Sequence, residues 1–448
     1  MKFTCIIAAA RRAHLRRALW LAFVCAMAPA SIEAQELGTS RLRLSEVYHD
    51  AQTANPRFAA ARARARAADA RVSAAGLPPD PELQLGFMNY SLPDLEPMDP
   101  LGMTQLQLMQ MVPIGGKLHL SKSIARAQAS ASGLRASDAG WEVRGEVAMA
   151  FYDLYRTERG LHVARGTIRL LQDVRSIAES MYRVGEGRQA DVLRAQVALA
   201  RMIEDTVRMT TMRAGMAARL NAVLDRPFDA VVGPPLLPVF PDTIPSLDTL
   251  VMLAQAERPM VKAGEVELDA ANAQLKLARR EIWPDLTVGI QYGQRRGEMG
   301  VERMGSLMVG ASIPVFARSR QLRMREEAAA MREMATADLA AMRADTRARV
   351  TEAYANLVRA RNLAALYRTT ILPQAEATVG SALAAYRAGS VDFMTLLDSR
   401  MTVNAYLQEL LALDAEQGKV WAELEMLTGR ELFDANATAA DAAGRETR

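Results

Sequence analysis

LTVGIQYG at Leu286–Gly293 and SLMVGASI at Ser306–Ile313 decide the fold. In the first, Leu286, Val288, Ile290 and Tyr292 point one way, and Thr287, Gly289, Gln291 and Gly293 point the other. In the second, Leu307, Val309, Ala311 and Ile313 share a face opposite Ser306, Met308, Gly310 and Ser312. A less regular version occurs earlier: Leu83, Leu85 and Phe87 oppose Gln84, Gly86 and Met88, and Leu106 and Leu108 oppose Gln105, Gln107 and Met109. Period-two alternation with one polar face describes strands lying between two different media.

A soluble, half-buried sheet gives the same alternation. Two features favour a membrane strand. The segments are close to the ~9–11 residues that cross a tilted bilayer. Their second face is small and polar rather than charged, which suits a water-filled lumen. The lumen side is then Gln84, Met88, Gln105, Gln107, Thr287, Gln291, Ser306 and Ser312. Four strands cannot close a barrel, and open edges in lipid leave backbone N–H and C=O groups unsatisfied. The chain is therefore expected to share a barrel with copies of itself under cyclic symmetry; three copies, giving twelve strands, make an open channel. The connections Ser91–Gly102 and Gln294–Gly305 read as external loops, the second carrying Arg295, Arg296, Glu298, Glu302 and Arg303.

Outward from the strands, the chain is an internal duplication. LSEVYHDAQTANP at Leu44–Pro56 matches LDTLVMLAQAERP at Leu247–Pro259, a shift of 203 residues. At the same shift Pro81 falls on Pro284, Leu83 on Leu286 and Gly86 on Gly289. Each half begins with an Ala-rich helix, about Leu42–Ala75 and Leu247–Ile282. After the strands comes a very long helical run, Lys117–Val184 and Arg318–Ala388, then a glycine turn and a further helix, Ala190–Leu224 and Phe393–Thr428. The first long run would reach ~100 Å, a length typical of coiled coils and tubes. Pro373 predicts a kink or break near Leu372 in the second. The expected layout is a signal peptide at 1–34, a first repeat at 35–224, a Pro-rich linker at 225–246, a second repeat at 247–430 and a disordered tail at 431–448.

The signal peptide is read from Arg11, Arg12, Arg16 and Arg17, the apolar run Ala18–Ala28 and the small residues Ala28, Ala30 and Ala34. The run is too short to span a bilayer. Cys5 and Cys25, the two cysteines of the chain, lie inside the signal peptide, which excludes cysteine chemistry from a mature protein. Lys2, the four arginines and Glu33 also lie there, so of 55 basic and 51 acidic residues 50 of each remain. A neutral mature chain lacks the basic excess a nucleic-acid partner requires. No phosphate loop, zinc spacing or nucleophile–base constellation is present, and neither an enzyme nor a cofactor is expected.

Two motifs carry a resemblance. YRVGEGRQADVLRAQ runs from Tyr182 to Gln196, and YRAGSVDFMTLLDSR from Tyr386 to Arg400. With Asn55-Pro56 and the PIGGK run at Pro113–Lys117, these make the chain, over about Leu42 to Arg430, similar to the TolC family of outer-membrane efflux proteins; Arg258-Pro259 departs from the Asn-Pro pattern. The resemblance implies a mainly α fold with a transmembrane β portion. Duplicated long helical hairpins form a periplasmic α-barrel, and four strands per chain contribute to a shared β-barrel in outer-membrane lipid. It further implies a homotrimer, a passive exit duct for metal cations or drugs. The helix tips would meet a periplasmic membrane-fusion adaptor and an RND-type inner-membrane pump. The tips are Tyr182, Gly185, Gly187, Tyr386 and Gly389: the glycines supply positive φ at the reversals, and the tyrosines pack one turn earlier. Asp191, Thr395 and Asp398 occupy the positions of the family's channel constriction, where symmetry turns one carboxylate into a ring that attracts cations. A plainer role for the two aspartates is helix-start residues favoured by the dipole. Met88, Met98, Met103, Met109 and Met111 crowd the first hairpin, and thioethers suit Cu(I). The hairpin and its Gly-Gly-Lys end are similar to the heavy-metal (CzcC/CusC-like) branch, with Met88, Met109 and Met111 as metal candidates. Against this, Met totals 25 in the chain and is also a flexible filler. A type I protein-secretion duct and a soluble periplasmic coiled-coil scaffold are the alternatives, and the scaffold leaves the four strands unexplained.

Overall fold

Proline breaks each leading helix in two. The computed structural model describes residues 41–98, 102–297 and 300–433. Where one Ala-rich helix is expected, α1 (Leu44–Ala54) and α2 (Pro56–Ala74) are separated at Asn55, and α5 (Leu247–Glu257) and α6 (Pro259–Arg280) at Arg258. Proline lacks an N–H and forces the residue before it out of the helical region; Asn55 and Arg258 accordingly have ψ of 120° and 121°. Asn55 turns the break into a cap, its Oδ1 accepting from the backbone N–H of Arg57 and Phe58. Arg258 has no such acceptor and instead donates its guanidinium to the Thr346 hydroxyl at 2.7 Å.

The uninterrupted run without proline is α3 (Lys117–Arg183), 67 residues long and hence ~100 Å. It is followed by α4 (Gln189–Val223). In the second repeat the long run is divided into α7 (Gln321–Leu366), a π-helical turn (Tyr367–Ile371) and α8 (Leu372–Arg387), followed by α9 (Phe393–Thr428). The expected disturbance at Pro373 is therefore present as a π turn that absorbs the missing N–H.

Strands β1 (Glu82–Met88), β2 (Met103–Val112), β3 (Leu286–Gly297) and β4 (Gly300–Ala311) form one antiparallel sheet in the order β1-β2-β3-β4. The external loop expected at Gln294–Gly305 is strand instead. The ladder continues through Gln294–Arg303, Arg295–Glu302 and Arg296–Val301 to Gly297–Gly300. Its charges are cross-strand partners, with Arg295 Nε 2.7 Å from Glu302 Oε2.

Helix α3 packs against α2 and α6 on the side of the sheet and against α4 and α9 farther on, and α7 packs against α6 and α9. The main core sits where both repeats meet: Leu44, Phe151, Tyr152, Leu220, Leu250, Leu357 and Trp421 are buried there. A second core lies at the helix tips around Leu171, Met202, Phe393 and Leu396. The linker joins the main core through Val232 and Phe240. So does the start of the expected disordered tail: Phe433 is buried against Phe240 and Trp421, and Glu431 pairs with Arg144 at 2.8 Å. Residues 434–448, the expected signal peptide at 1–34 and both cysteines lie outside the described residues. Among the described residues no helix is long and apolar enough to cross a membrane.

The Tyr152 ring fits against α9 because residue 418 is glycine. A Cβ at Gly418 would lie 2.1 Å from Cζ of the fully buried Tyr152 ring. Gly418→Ala is expected to destabilise the detergent-solubilised protein by about 1–3 kcal/mol, read as a lower Tm. Gly166→Ala, a helical glycine with open space around it, is expected not to lower it.

Candidate functional site

The sheet has two unlike faces, and neither is covered by the chain itself. On one, Leu83 and Leu85 of β1, Leu106 and Leu108 of β2, Ile290 and Tyr292 of β3 and Leu307 and Val309 of β4 are 40–72% exposed. Their register runs continuously across the sheet: Leu83–Leu108–Ile290–Leu307 form one row. On the other face Gln84–Gln107–Gln291–Ser306 form the matching polar row. Gln291 Nε2 donates to Gln105 Oε1. Met88 and Thr287 lie on this same polar face, Thr287 paired with Met111 and Gly310. Ser312 falls just past β4, where its backbone N–H reaches Asp285 O at 2.9 Å and its hydroxyl accepts from the Asp285 backbone N–H at 3.0 Å, closing the base of the hairpin.

A strut at that base was not legible as such in the PIGGK motif. Gly115 and Gly116 have φ of +74° and +76°, and the chain reverses there so that Lys117 enters the interior. Its ammonium donates to the Trp283 carbonyl and to Asp285 Oδ1, both at 2.9 Å, with Glu281 at 3.6 Å. One buried cation thus ties the end of the first hairpin to the start of the second.

The two helix tips end in the same Schellman geometry. Gly185 N–H and Glu186 N–H reach Tyr182 O and Met181 O, and Gly389 N–H and Ser390 N–H reach Tyr386 O and Ala385 O. Gly185 and Gly389 carry the positive φ, +80° and +66°. Gly187 is needed for a different reason, close approach: a Cβ there would sit 2.8 Å from the Tyr182 backbone nitrogen. The tyrosines also differ. Tyr386 packs as expected, edge-on to Phe393 with centroids 5.7 Å apart, and burial raises its pKa, with the nearby Asp191 carboxylate adding to the shift. Tyr182 is 48% exposed.

Asp191 and Asp398 are not equivalent. Asp191 is buried at the start of α4, its carboxylate 3.8 Å from Arg194 and its side chain 12% exposed. Asp398 and Thr395 are exposed on α9 and share one groove with Gln374, Thr378, Thr402 and Tyr406. The residue that organises this end is Asp392, which sequence reasoning missed although an Asp three residues before Thr is a cap signal. It accepts from the Thr395 backbone N–H at 3.0 Å and from its hydroxyl at 2.5 Å, and the Thr395 hydroxyl is the main cause of its lowered pKa.

The family model for outer membrane efflux proteins matches residues 47–225 and 250–430. The chain belongs to this family. It is the outer-membrane duct of a tripartite efflux system, in a family of channels rather than enzymes. This efflux protein is 24% identical over 386 residues to the pyoverdine export outer membrane protein OpmQ of Pseudomonas putida, across 80% of each chain. It is 23% identical over 281 residues to the cobalt-zinc-cadmium resistance protein CzcC of Cupriavidus metallidurans, across 62% of this chain and 64% of that one. In fold it is similar to the outer-membrane channel OprN, with a TM-score of 0.74 at 18% identity over 90% of the efflux protein and 97% of OprN.

Asp392→Ala is expected to speed hydrogen exchange in the first turn of α9, Phe393–Leu397, at neutral pH. Because the folded pKa of Asp392 is depressed, the cap is fully present above the ordinary carboxylate range. It is lost as pH falls through the depressed value, so far below that range the two proteins should unfold alike, checked by acid titration of tip stability.

Proposed function

We propose that three copies of the chain close head to tail into one passive exit duct, with the polar sheet face inward and the apolar face in outer-membrane lipid. The observation that carries this reading is an open four-stranded sheet whose large apolar side chains have no cover. The four strands alternate in direction, so β4 of one copy meets β1 of the next in antiparallel register, and no edge is left in hydrocarbon. The helical layer is open in the same way. On α4, Leu193, Val197, Ile203 and Val207 are 47–63% exposed, a stripe that suits a neighbouring copy.

In this assembly the polar grooves on α9 face the axis near the periplasmic end, and Asp398 with Thr395 forms the selective constriction. A ring of three carboxylates attracts cations. Tyr182, Gly185, Gly187, Glu186 and Gly389 are the surface offered to a periplasmic adaptor, which couples the duct to an RND-type inner-membrane pump. Tyr386 supports that surface from beneath. Residues 1–34 act as the export signal, and residues 35–224 and 247–430 are the two structural repeats joined by 225–246. The cargo is a small solute. One relative is named for pyoverdine export and another for cobalt, zinc and cadmium resistance, a spread that fits selection by the pump rather than the duct.

The test is single-channel recording of the purified mature protein in planar bilayers. Discrete steps are expected, with cation preference reduced in Asp398→Ala and unchanged in Asp191→Asn. Unaltered selectivity in Asp398→Ala would remove the constriction from α9. Protein that stays monomeric and water-soluble without detergent would overturn the duct.

A further inference from the structure

We propose that neighbouring copies are locked at the base of the sheet by an ion pair between Arg318 of one and Glu82 of the next, in a strand register that repeats the junction between the two halves of a single chain. This rests on the reading of the chain as a ring of copies. PIGGK at Pro113–Lys117, which follows β2, aligns with PVFAR at Pro314–Arg318, which follows β4. WPDLTV at Trp283–Val288, which leads into β3, aligns with DPELQL at Asp80–Leu85, which leads into β1. Inside the chain, PIGGK and WPDLTV meet: Lys117 donates to Asp285 Oδ1 and to the Trp283 carbonyl. Their counterparts Arg318 and Glu82 stand at the two outer edges of the sheet. Both are exposed and, among the described residues, neither has an ion pair. A cation matches a cation and a carboxylate matches a carboxylate, so each copy carries half of a second strut at either edge, and the site is complete only when another copy supplies the other half.

The register between copies follows from the same correspondence. Within the chain Val112 stands opposite Leu286, Gln110 opposite Val288 and Leu108 opposite Ile290. Carried to the outer edges, Ile313 stands opposite the next copy's Leu83, Ala311 opposite its Leu85 and Val309 opposite its Phe87. Ser312 then meets Gln84, and Gly310 meets Gly86. Apolar face meets apolar face and polar meets polar, although the prolines and charges that set the correspondence lie outside that alternation. A slip of one residue would set every apolar side chain of β1 against the polar face of β4. The packing is complementary as well, with the large residue changing sides. Within the chain Gly115 leaves room for an indole: a Cβ there would lie 3.7 Å from Trp283 Cγ. The counterparts of Gly115 and Trp283 are Phe316 and Asp80, so here the aromatic ring comes from the other partner. Phe316 is 75% exposed, Ile313 and Val315 beside it are 78% and 79% exposed, and Leu77 at the opposite edge is 66% exposed. Bare apolar surface at both edges, with opposite charges beside it, suits a head-to-tail contact between copies.

The test is disulfide formation in the full mature chain, which has no cysteine from residue 35 onward. Phe87→Cys combined with Val309→Cys is expected to give covalent trimer on oxidation in native membranes. In one copy these positions lie on opposite edges of the sheet, at least ~14 Å apart, which a disulfide cannot span. Leu85→Cys combined with Val309→Cys, on the same face but out of register, is expected to give on the order of tenfold less product. A trimer on native electrophoresis in which the first pair links no better than the second overturns the register and leaves the ring standing. Protein that is monomeric and links through neither pair overturns the ring, and this proposal with it. For the ion pair, Arg318→Glu and Glu82→Arg are each expected to lower the temperature at which the trimer dissociates in mild detergent, and the double reversal to recover it. A double variant no more stable than the single ones would remove the Arg318–Glu82 contact.

Discussion

Each unpaired N–H or C=O at the outer edge of β1 or β4 costs several kcal/mol if it is left in hydrocarbon. An isolated four-stranded sheet with eight or more large apolar side chains exposed on one face can satisfy neither its edges nor that face in water. The duplication answers the first problem. Each repeat contributes one hairpin, so the strand number is even, and in the proposed ring the last strand of one copy runs antiparallel to the first strand of the next. The helices that follow the strands, α2, α3, α6 and α7, keep the same lateral order, so the open edges of the sheet continue into open edges of the helical layer.

Holding two tandem hairpins in one register is then the task of the interior, and it is done with charges as well as apolar packing. Arg144 of the first repeat reaches Glu425 of the second at 3.2 Å, and Glu425 has no exposed surface. Arg144 also lies over the Tyr48 ring, 3.9 Å from its centroid. Burial raises the Glu425 pKa, while Arg144 and the backbone N–H groups of Leu432 and Phe433 oppose the shift. Lys419 pairs with Asp153, and Lys117 with Asp285, again one partner from each repeat. Buried and half-buried pairs of this kind add little net stability over apolar packing, but each can be satisfied in only one alignment. The length of α3 makes that alignment matter, because a one-turn slip of ~5.4 Å would carry both the sheet and the tips out of register.

The parts of this design that were legible in the sequence are those written as a period. Alternation gave both faces of all four strands, and the glycine spacing gave both tips. What was hidden depended on direction rather than spacing. Arg295 and Glu302 resemble loop residues in one dimension and are a cross-strand pair in three. The proline breaks at Asn55 and Arg258 were masked by the surrounding alanines, although each lies where a residue before proline must be extended. The aspartates show the limit most clearly. Counted from Gly185 and Gly389, Asp191 stands level with Thr395, yet one is buried and the other exposed. The reason lies in the turns: α9 starts on Phe393, which is driven into the tip core, whereas α4 starts on Gln189, which is not. The two helices therefore present different faces at equivalent positions.

That asymmetry extends along the whole of the second hairpin. α3 runs to its tip without interruption, while the corresponding path from α7 to α8 passes through the π turn at Tyr367–Ile371. π turns are among the places where long helices kink. This one is held by two contacts to α9: Arg368 pairs with Asp414, and Tyr367 meets Tyr406 edge-on at 5.7 Å. Asp414 is buried, which raises its pKa, and Arg368 opposes the shift. Its ionised form therefore depends on keeping that partner. The hairpin with the π turn is thus the one that presents Asp398, and that turn is pinned to the same helix, α9, on which Asp398 stands.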